Sequence, residues 1–277
     1  MSSFNAFVTT IDEQVRSSRA LRDRVLTVRA VLREALTEGR FVLDCVDRVT
    51  AAMAAHGPAW RDPPIHADPD LDYSVRMLYW PPGYRNNPHE HLSWTVTGVV
   101  HNRFEVHVYR WQGEPNASEL VVDRVIAGGP GEVGYILPPC IHNFSNPTDA
   151  LSVSLHVFSG LASAAGDETL DEHPAGQTIW YPSPKKGEIM RGMRRRALLA
   201  HVAILARIGG ERALHLLDET FRLGDRSVKL ESVKAMSVID PRLAGIRLRE
   251  LAAISQEPAR SELGRLSDRL LAAVGAR

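Results

Sequence analysis

The stretch Gly83-Tyr-Arg-Asn-Asn-Pro-His89-Glu90-His91 is answered about fifty residues later by His142-Asn-Phe-Ser-Asn146. Two histidines at i and i+2 on an extended segment face the same side of a sheet, because side chains alternate along a strand with a period of two. A third histidine from a distant strand then closes one triangular face around a metal. Neutral imidazoles suit divalent iron, nickel, copper or zinc, and three protein ligands leave positions open for substrate or dioxygen.

Outward from this stretch the texture is that of short strands. Met77-Leu-Tyr-Trp80 ends an apolar run and Pro81-Pro82-Gly83 turns the chain. Strand-like runs fall at 73–79, 94–100, 104–111, 120–126, 134–137 and 151–158, separated by Gly- and Pro-rich breaks. Such a series predicts a small antiparallel barrel or sandwich. Before it, residues 11–56 carry apolar residues at helical spacing, with Gly39 dividing two helices, and 58–72 reads as a loop. After a return loop at 159–185, helices are expected near 187–208, 210–223, 226–238, 241–253 and 258–274, punctuated by Gly209-Gly210, Gly224-Asp225, Asp240-Pro241 and Glu257-Pro258. The expected architecture is α+β. Helices over 1–57 pack on a metal-binding barrel over 58–185, and an all-α domain follows over 186–277.

The formal net charge is +0, which excludes an obvious nucleic-acid binder, yet it conceals an asymmetry. Residues 1–182 hold 14 Lys and Arg against 22 Asp and Glu, and residues 183–277 hold 19 against 11, so the two parts carry −8 and +8. Opposite charge suggests domains that attract each other or a second copy, and a homo-oligomer or a protein partner through the C-terminal helices is expected. Two cysteines, Cys45 and Cys140, are too few for a disulfide framework or a thiolate zinc site. With no basic start before an apolar run and no apolar run of about 18 residues, neither a signal peptide nor a membrane span is expected, and the cytoplasm is the expected compartment.

The two half-motifs, with Gly98 seven residues after His91, resemble those of the cupin superfamily, G-x5-H-x-H and H-x3-N. Within it, the chain is similar to the cysteine dioxygenase-like thiol dioxygenases. In that family a strand ending in Trp leads into His-x-His, followed by Trp and Gly, as Trp94 and Gly98 follow here. A late Ser-x-His-x-Tyr strand answers it, and this chain has Ser154-Leu-His156-Val-Phe158. The resemblance covers roughly residues 60–160. It implies a cupin or jelly-roll barrel, Fe(II) held by His89, His91 and His142, and addition of O2 to a small thiol to give a sulfinic acid. It also implies that Ser154 and His156 form a hydrogen-bonded pair beside the metal, that Arg61 in Trp60-Arg61-Asp62 anchors a substrate carboxylate, and that Trp80, Trp94 and Phe158 line the pocket. Phe158 departs from the family tyrosine and lacks its hydroxyl. No carboxylate follows the His-x-His closely, which favours three histidines as the complete ligand set.

Other readings stay open. The metal site also serves an oxygenase or isomerase acting on a non-thiol molecule, and a cupin sensor or scaffold needs no chemistry at all. His156 also reads as a core histidine, and Cys140 as a packing residue. Glu90 lies on the opposite face of its strand from the ligands and has a structural reading. His101 and His107, six apart, share a face as a second metal pair or as a solvated surface. Arg76 and Arg85 read as surface residues or alternative anchors. The basic run opening the C-terminal part reads as a solvated helix face. Residues 225–240 resemble one unit of a HEAT-like helical repeat, with a plain bundle as the alternative.

Overall fold

Residues 73–80, YSVRMLYW, form a strand covered on both faces. The computed structural model describes residues 2–17, 20–90, 93–113, 119–160, 192–254, 268 and 272. Among these residues are eight strands: β1 (His66–Asp68), β2 (Tyr73–Trp80), β3 (Thr95–His101), β4 (Phe104–Gln112), β5 (Glu119–Gly128), β6 (Val133–Ile136), β7 (Ile141–Ser145) and β8 (Ser152–Ser159). They build two antiparallel sheets, of order β1-β2-β8-β3-β6 and β5-β4-β7. The inner faces meet in one apolar cluster. Leu78, Trp80, Val99, Ile136 and Phe158 come from the larger sheet, and Phe104 and Phe144 from the smaller. Burying each such side chain is worth about 1.5–3 kcal/mol.

Three helices precede the strands: α1 (Ser3–Ser17), α2 (Leu21–Ala35) and α3 (Gly39–His56). The first begins well before residue 11, where the periodicity was expected to start. Phe4, Phe7, Ile11 and Val15 supply its buried stripe. Asp44 of α3 secures the N-terminus of α1, its Oδ2 accepting from Phe4 N at 3.0 Å and from Ser3 Oγ at 2.9 Å. The positive end of a helix dipole favours a carboxylate there. The C-terminal end of α2 lies against β3 at Gly98, where a Cβ would run into Leu36, Leu32 and Val133. Glycine at this point of the motif therefore lets a helix approach the sheet. The short strand β1 falls where a loop was expected, and β7 lies outside the six expected runs.

The chain divides into two compact units, residues 1–45 with 60–193 and residues 46–59 with 194–277. The second contains α4 (Met193–Ile208), α5 (Gly210–Leu223), α6 (Arg226–Ile239) and α7 (Pro241–Ile254), matching the expected helices closely. The loops between them are very short, and α5 packs on α6 and α6 on α7. Asp225 caps α6 by accepting from Val228 N at 3.0 Å, and Asp240 caps α7 by accepting from Arg242 N and Leu243 N. His201 is fully buried with its Nδ1 3.3 Å from Thr50 Oγ1. The helix expected over 258–274 lies outside the described residues except at 268 and 272. No helix among the described residues is long and apolar enough to cross a membrane.

Candidate metal centre

The segment after Pro81-Pro82-Gly83 runs back along the edge of β7. Asn146 N donates to Tyr84 O at 2.8 Å and Asn86 N to Phe144 O at 3.1 Å. The Asn86 side chain adds a bond, its Oδ1 accepting from Phe144 N at 2.6 Å. Asn146, the last residue of the second half-motif, pins the start of this segment, its Nδ2 donating to the carbonyls of Trp80, Pro81 and Ala150. At the end of the ladder His89 and His142 stand opposite each other, each backbone N–H donating to the other's carbonyl at 2.8 Å. Directly opposed residues put their side chains on one face. The two imidazoles lie with centroids 4.4 Å apart, at 4% and 0% exposure.

Each of these rings is oriented by its own chain. His89 Nδ1 is 3.0 Å from Asn87 O, and His142 Nδ1 is 3.0 Å from Cys140 O. A carbonyl only accepts, so each Nδ1 carries the proton and each Nε2 presents a lone pair. That is the tautomer a metal ligand needs, and such bonds to the far nitrogen are how ligating histidines are aimed. Phe144 bounds the pair, 5.2 Å from the His142 ring and 6.2 Å from that of His89. His91 lies outside the described residues. Among those that are described, no three His, Cys, Asp or Glu side chains gather as a ligand group.

The expected Ser154–His156 pair is present and is longer than the motif suggested. Trp80 Nε1 donates to Ser154 Oγ at 2.7 Å. Ser154 Oγ is 2.7 Å from His156 Nε2, and His156 Nδ1 is 3.0 Å from Thr97 Oγ1. Burial pushes the His156 imidazolium down to about 3, so the ring is neutral at ordinary pH. Phe158 stacks on His156 at 5.1 Å and 9°, closing that side with an apolar ring. The hydroxyl missing at Phe158 is thus matched by one at Thr97, on the other flank of the histidine. Sequence reasoning missed Thr97. The sequence carried no signal for it, because the β3–β8 register, which makes Thr97 the direct partner of His156, is decided only on folding.

Thr97 also lines a cavity of about 930 Å³, whose apolar walls include Val99, Phe104, Val106, Ile136 and Phe144. Arg61, Trp80, Trp94 and Phe158, expected to line a substrate pocket, are not among the residues around this cavity. Trp80 and Phe158 lie in the apolar cluster between the sheets, and Trp94 is buried with its backbone N bonded to Ser159 Oγ. Arg61 is exposed and donates to Trp60 O at 3.1 Å. The cavity's cations are instead Arg29, Arg110 and Arg124. Glu90 also lines it, contrary to its expected place on the far side. Cys140 is half-buried on the cavity wall. Burial pushes its thiol up, Arg124 acts in the opposite direction and Glu90 in the same one.

Two further expectations are corrected. His101 ends β3 in the five-stranded sheet, whereas His107 sits on β4 in the other, so they share no face. His107 instead bonds Ser145 Oγ at 3.1 Å and Arg85 at 3.2 Å. Arg76 is largely buried on β2, beside His156 in register, and faces the buried Asp62 electrostatically.

No family model and no curated protein matches the sequence. Solved structures do match in part. A Cupin 2 conserved barrel domain protein from Salinispora arenicola CNS-205 is 19% identical over 36% of this chain and 74% of its own, with a TM-score of 0.27. A protein with a double-stranded beta-helix domain from Klebsiella pneumoniae is 17% identical over 32% of this chain and 67% of its own, with a TM-score of 0.26. The DMSP lyase DddQ from Ruegeria pomeroyi DSS-3 is 16% identical over 39% of this chain and 42% of its own, with a TM-score of 0.25.

Proposed function

We propose that this chain is a cupin-type, mononuclear iron(II) dioxygenase that adds both atoms of O2 to the sulfur of a thiol. The observation that carries this reading is the His89–His142 pair, buried side by side with both Nδ1 atoms held by backbone carbonyls and both Nε2 lone pairs presented. His89, His142 and, by the resemblance to the cupin half-motif, His91 would hold the ion. An all-neutral ligand set leaves a ferrous ion net positive, which suits an anionic thiolate. When bound, iron supplies the redox partner for dioxygen.

The chain's own residues supply the rest. The reaction is RSH + O2 → RSO2H: sulfur loses four electrons, the two oxygen atoms gain them, and no other reductant is required. The network from Trp80 through Ser154 and His156 to Thr97 keeps a neutral, doubly hydrogen-bonded imidazole behind the cavity and presents one hydroxyl to it. The apolar walls limit water around the reacting sulfur. A second reading, oxygenation of a non-thiol molecule, is favoured by Phe158, which places an apolar ring where the resembled family has a hydroxyl.

Metal analysis of the purified protein beside His89→Gln and His142→Gln tests the site, and oxygen consumption with a thiol panel tests the chemistry. Near-stoichiometric iron in the parent, lost in both variants, with one O2 consumed per thiol supports the reading. Iron without thiol-dependent uptake transfers it to non-thiol substrates. Absence of metal binding, with no uptake after ferrous ion is added, overturns it.

A further inference from the structure

Arg124, Val108, His142 and His89 stand in one cross-strand row. Val108 of β4 is the direct partner of Arg124 on β5 and of His142 on β7, and His142 is the partner of His89. Opposed residues share a face, and Val108 and Arg124 both line the cavity, as do Glu90, Ile141 and Phe144, sequence neighbours of the two histidines, whose own rings are not on its wall. With strands roughly 4.8 Å apart, Arg124 stands roughly 10 Å along this row from His142. The stretch between them is apolar, with Val106, Val108 and Phe144 on the cavity wall.

The other two cavity arginines are engaged. Arg29 Nε donates to Val133 O at 2.9 Å, and Arg110 pairs with Asp123 at 3.3 Å. Arg124 has neither a hydrogen bond nor an ion pair among the described residues. Glu90, on the cavity wall and next in sequence to His89, disfavours a second carboxylate beside it. The volume adds a further constraint. About 930 Å³ is the size of a site for a drug-sized molecule, and a thiol as small as cysteine would leave most of it filled with water.

We propose that the substrate of the candidate metal centre is an elongated, largely apolar molecule with an anionic group at the end away from the reacting atom, and that Arg124 binds that anion. This rests on the oxygenase reading for the word substrate, but the binding site itself does not. A guanidinium at the open edge of an apolar cavity costs little to leave solvated when empty and pairs bidentately with a carboxylate when filled.

Calorimetric titration of the full-length, metal-free protein with butanoate, hexanoate and octanoate tests this without metal or oxygen. Affinity is expected to rise about fourfold per methylene, the fold-change that corresponds to ~0.8 kcal/mol. Octanoate should bind at least tenfold more tightly than 1-octanol. Arg124→Gln should abolish that difference and Arg124→Lys should restore part of it; Arg124 is exposed, so both variants fold. With iron present, 8-mercaptooctanoate should outpace cysteine in oxygen uptake, and Arg124→Gln should raise KM while leaving kcat nearly unchanged. Failure of octanoate to bind, affinity independent of chain length, or indifference to Arg124→Gln overturns the proposal, even if iron and thiol oxidation are found. Arg124-dependent octanoate binding in a protein that takes up no iron upholds the anion site and removes only the oxygenase reading.

Discussion

His89 and His142 exchange both of their backbone hydrogen bonds, so the position of each imidazole is set by the strand that carries the other. The ring nitrogens are then locked within each strand, to Asn87 O and Cys140 O. Two levels of hydrogen bonding, one across the ladder and one local, prepare the pair before any ion arrives.

The ladder depends on Asn86, whose side-chain oxygen takes Phe144 N and whose backbone carbonyl takes Asn143 Nδ2 at 2.7 Å. Asn86→Ala should weaken metal binding about 10-fold, as loss of supporting hydrogen bonds around a metal site does. It should cost only about 1 kcal/mol of stability. Metal titration and urea unfolding of the same preparation separate the two effects, and equal iron affinity in the variant would refute the role.

Thr97→Val preserves shape and removes the hydroxyl that meets His156 Nδ1. It should lower kcat about 10- to 100-fold, with a stability loss of about 1–2 kcal/mol from the unsatisfied ring nitrogen. Because burial holds His156 neutral down to about pH 3, the rate profile should show no ionisation of this residue between pH 5 and 9. A step near pH 6.5 that disappears in a His156 variant would contradict the assignment.

Asp62 is buried at φ +58°, and burial pushes its carboxyl up to about 7 although Arg76 pulls the other way. The folded state therefore holds a proton that the unfolded chain releases near pH 3.8. The resulting stability is complete below pH 3.8 and is lost as pH rises to about 7. Asp62→Asn should gain on the parent by ~2–3 kcal/mol more at pH 8 than at pH 5. Urea midpoints at the two pH values measure it, and a pH-independent difference would count against the buried acid.

His201 has the opposite sign. Burial lowers it to about 3 from an ordinary 6.5, so its contribution is complete above pH 6.5 and is lost as pH falls toward 3. His156 behaves in the same way. Stability of the parent should decline with acid below pH 6.5, and His201→Leu should make that decline shallower without abolishing it. Thermal unfolding between pH 4 and 7 reads the slope.

Gly98→Val would push a branched side chain into Leu36, Leu32 and Val133, where α2 meets β3. Overpacking of this kind costs about 1–3 kcal/mol, seen as a lower melting temperature. Metal affinity should be unchanged, because the clash lies on the helix side of the sheet.

The amino-acid sequence by itself determined the α+β order of elements and most strand and helix limits. These follow from local periodicity, from turn residues such as Pro81-Pro82-Gly83, and from motif spacing, all of which are properties of neighbouring residues. Helix α1 was half-legible: Phe4 and Phe7 continue the spacing of Ile11 and Val15, but the Thr- and Val-rich run between them has weak helix propensity. Tertiary structure alone decided the rest, because register between distant strands is set by packing of whole faces. It put Thr97 rather than Phe158 at the hydroxyl end of the network, paired His89 with His142, set Glu90 on the cavity wall, left Arg61 at the surface, and aligned Arg124 through Val108 with the histidines. A side chain's neighbours across a sheet are fixed by the burial of faces, not by adjacency in the chain, and that is why these partners were beyond the reach of a single sequence.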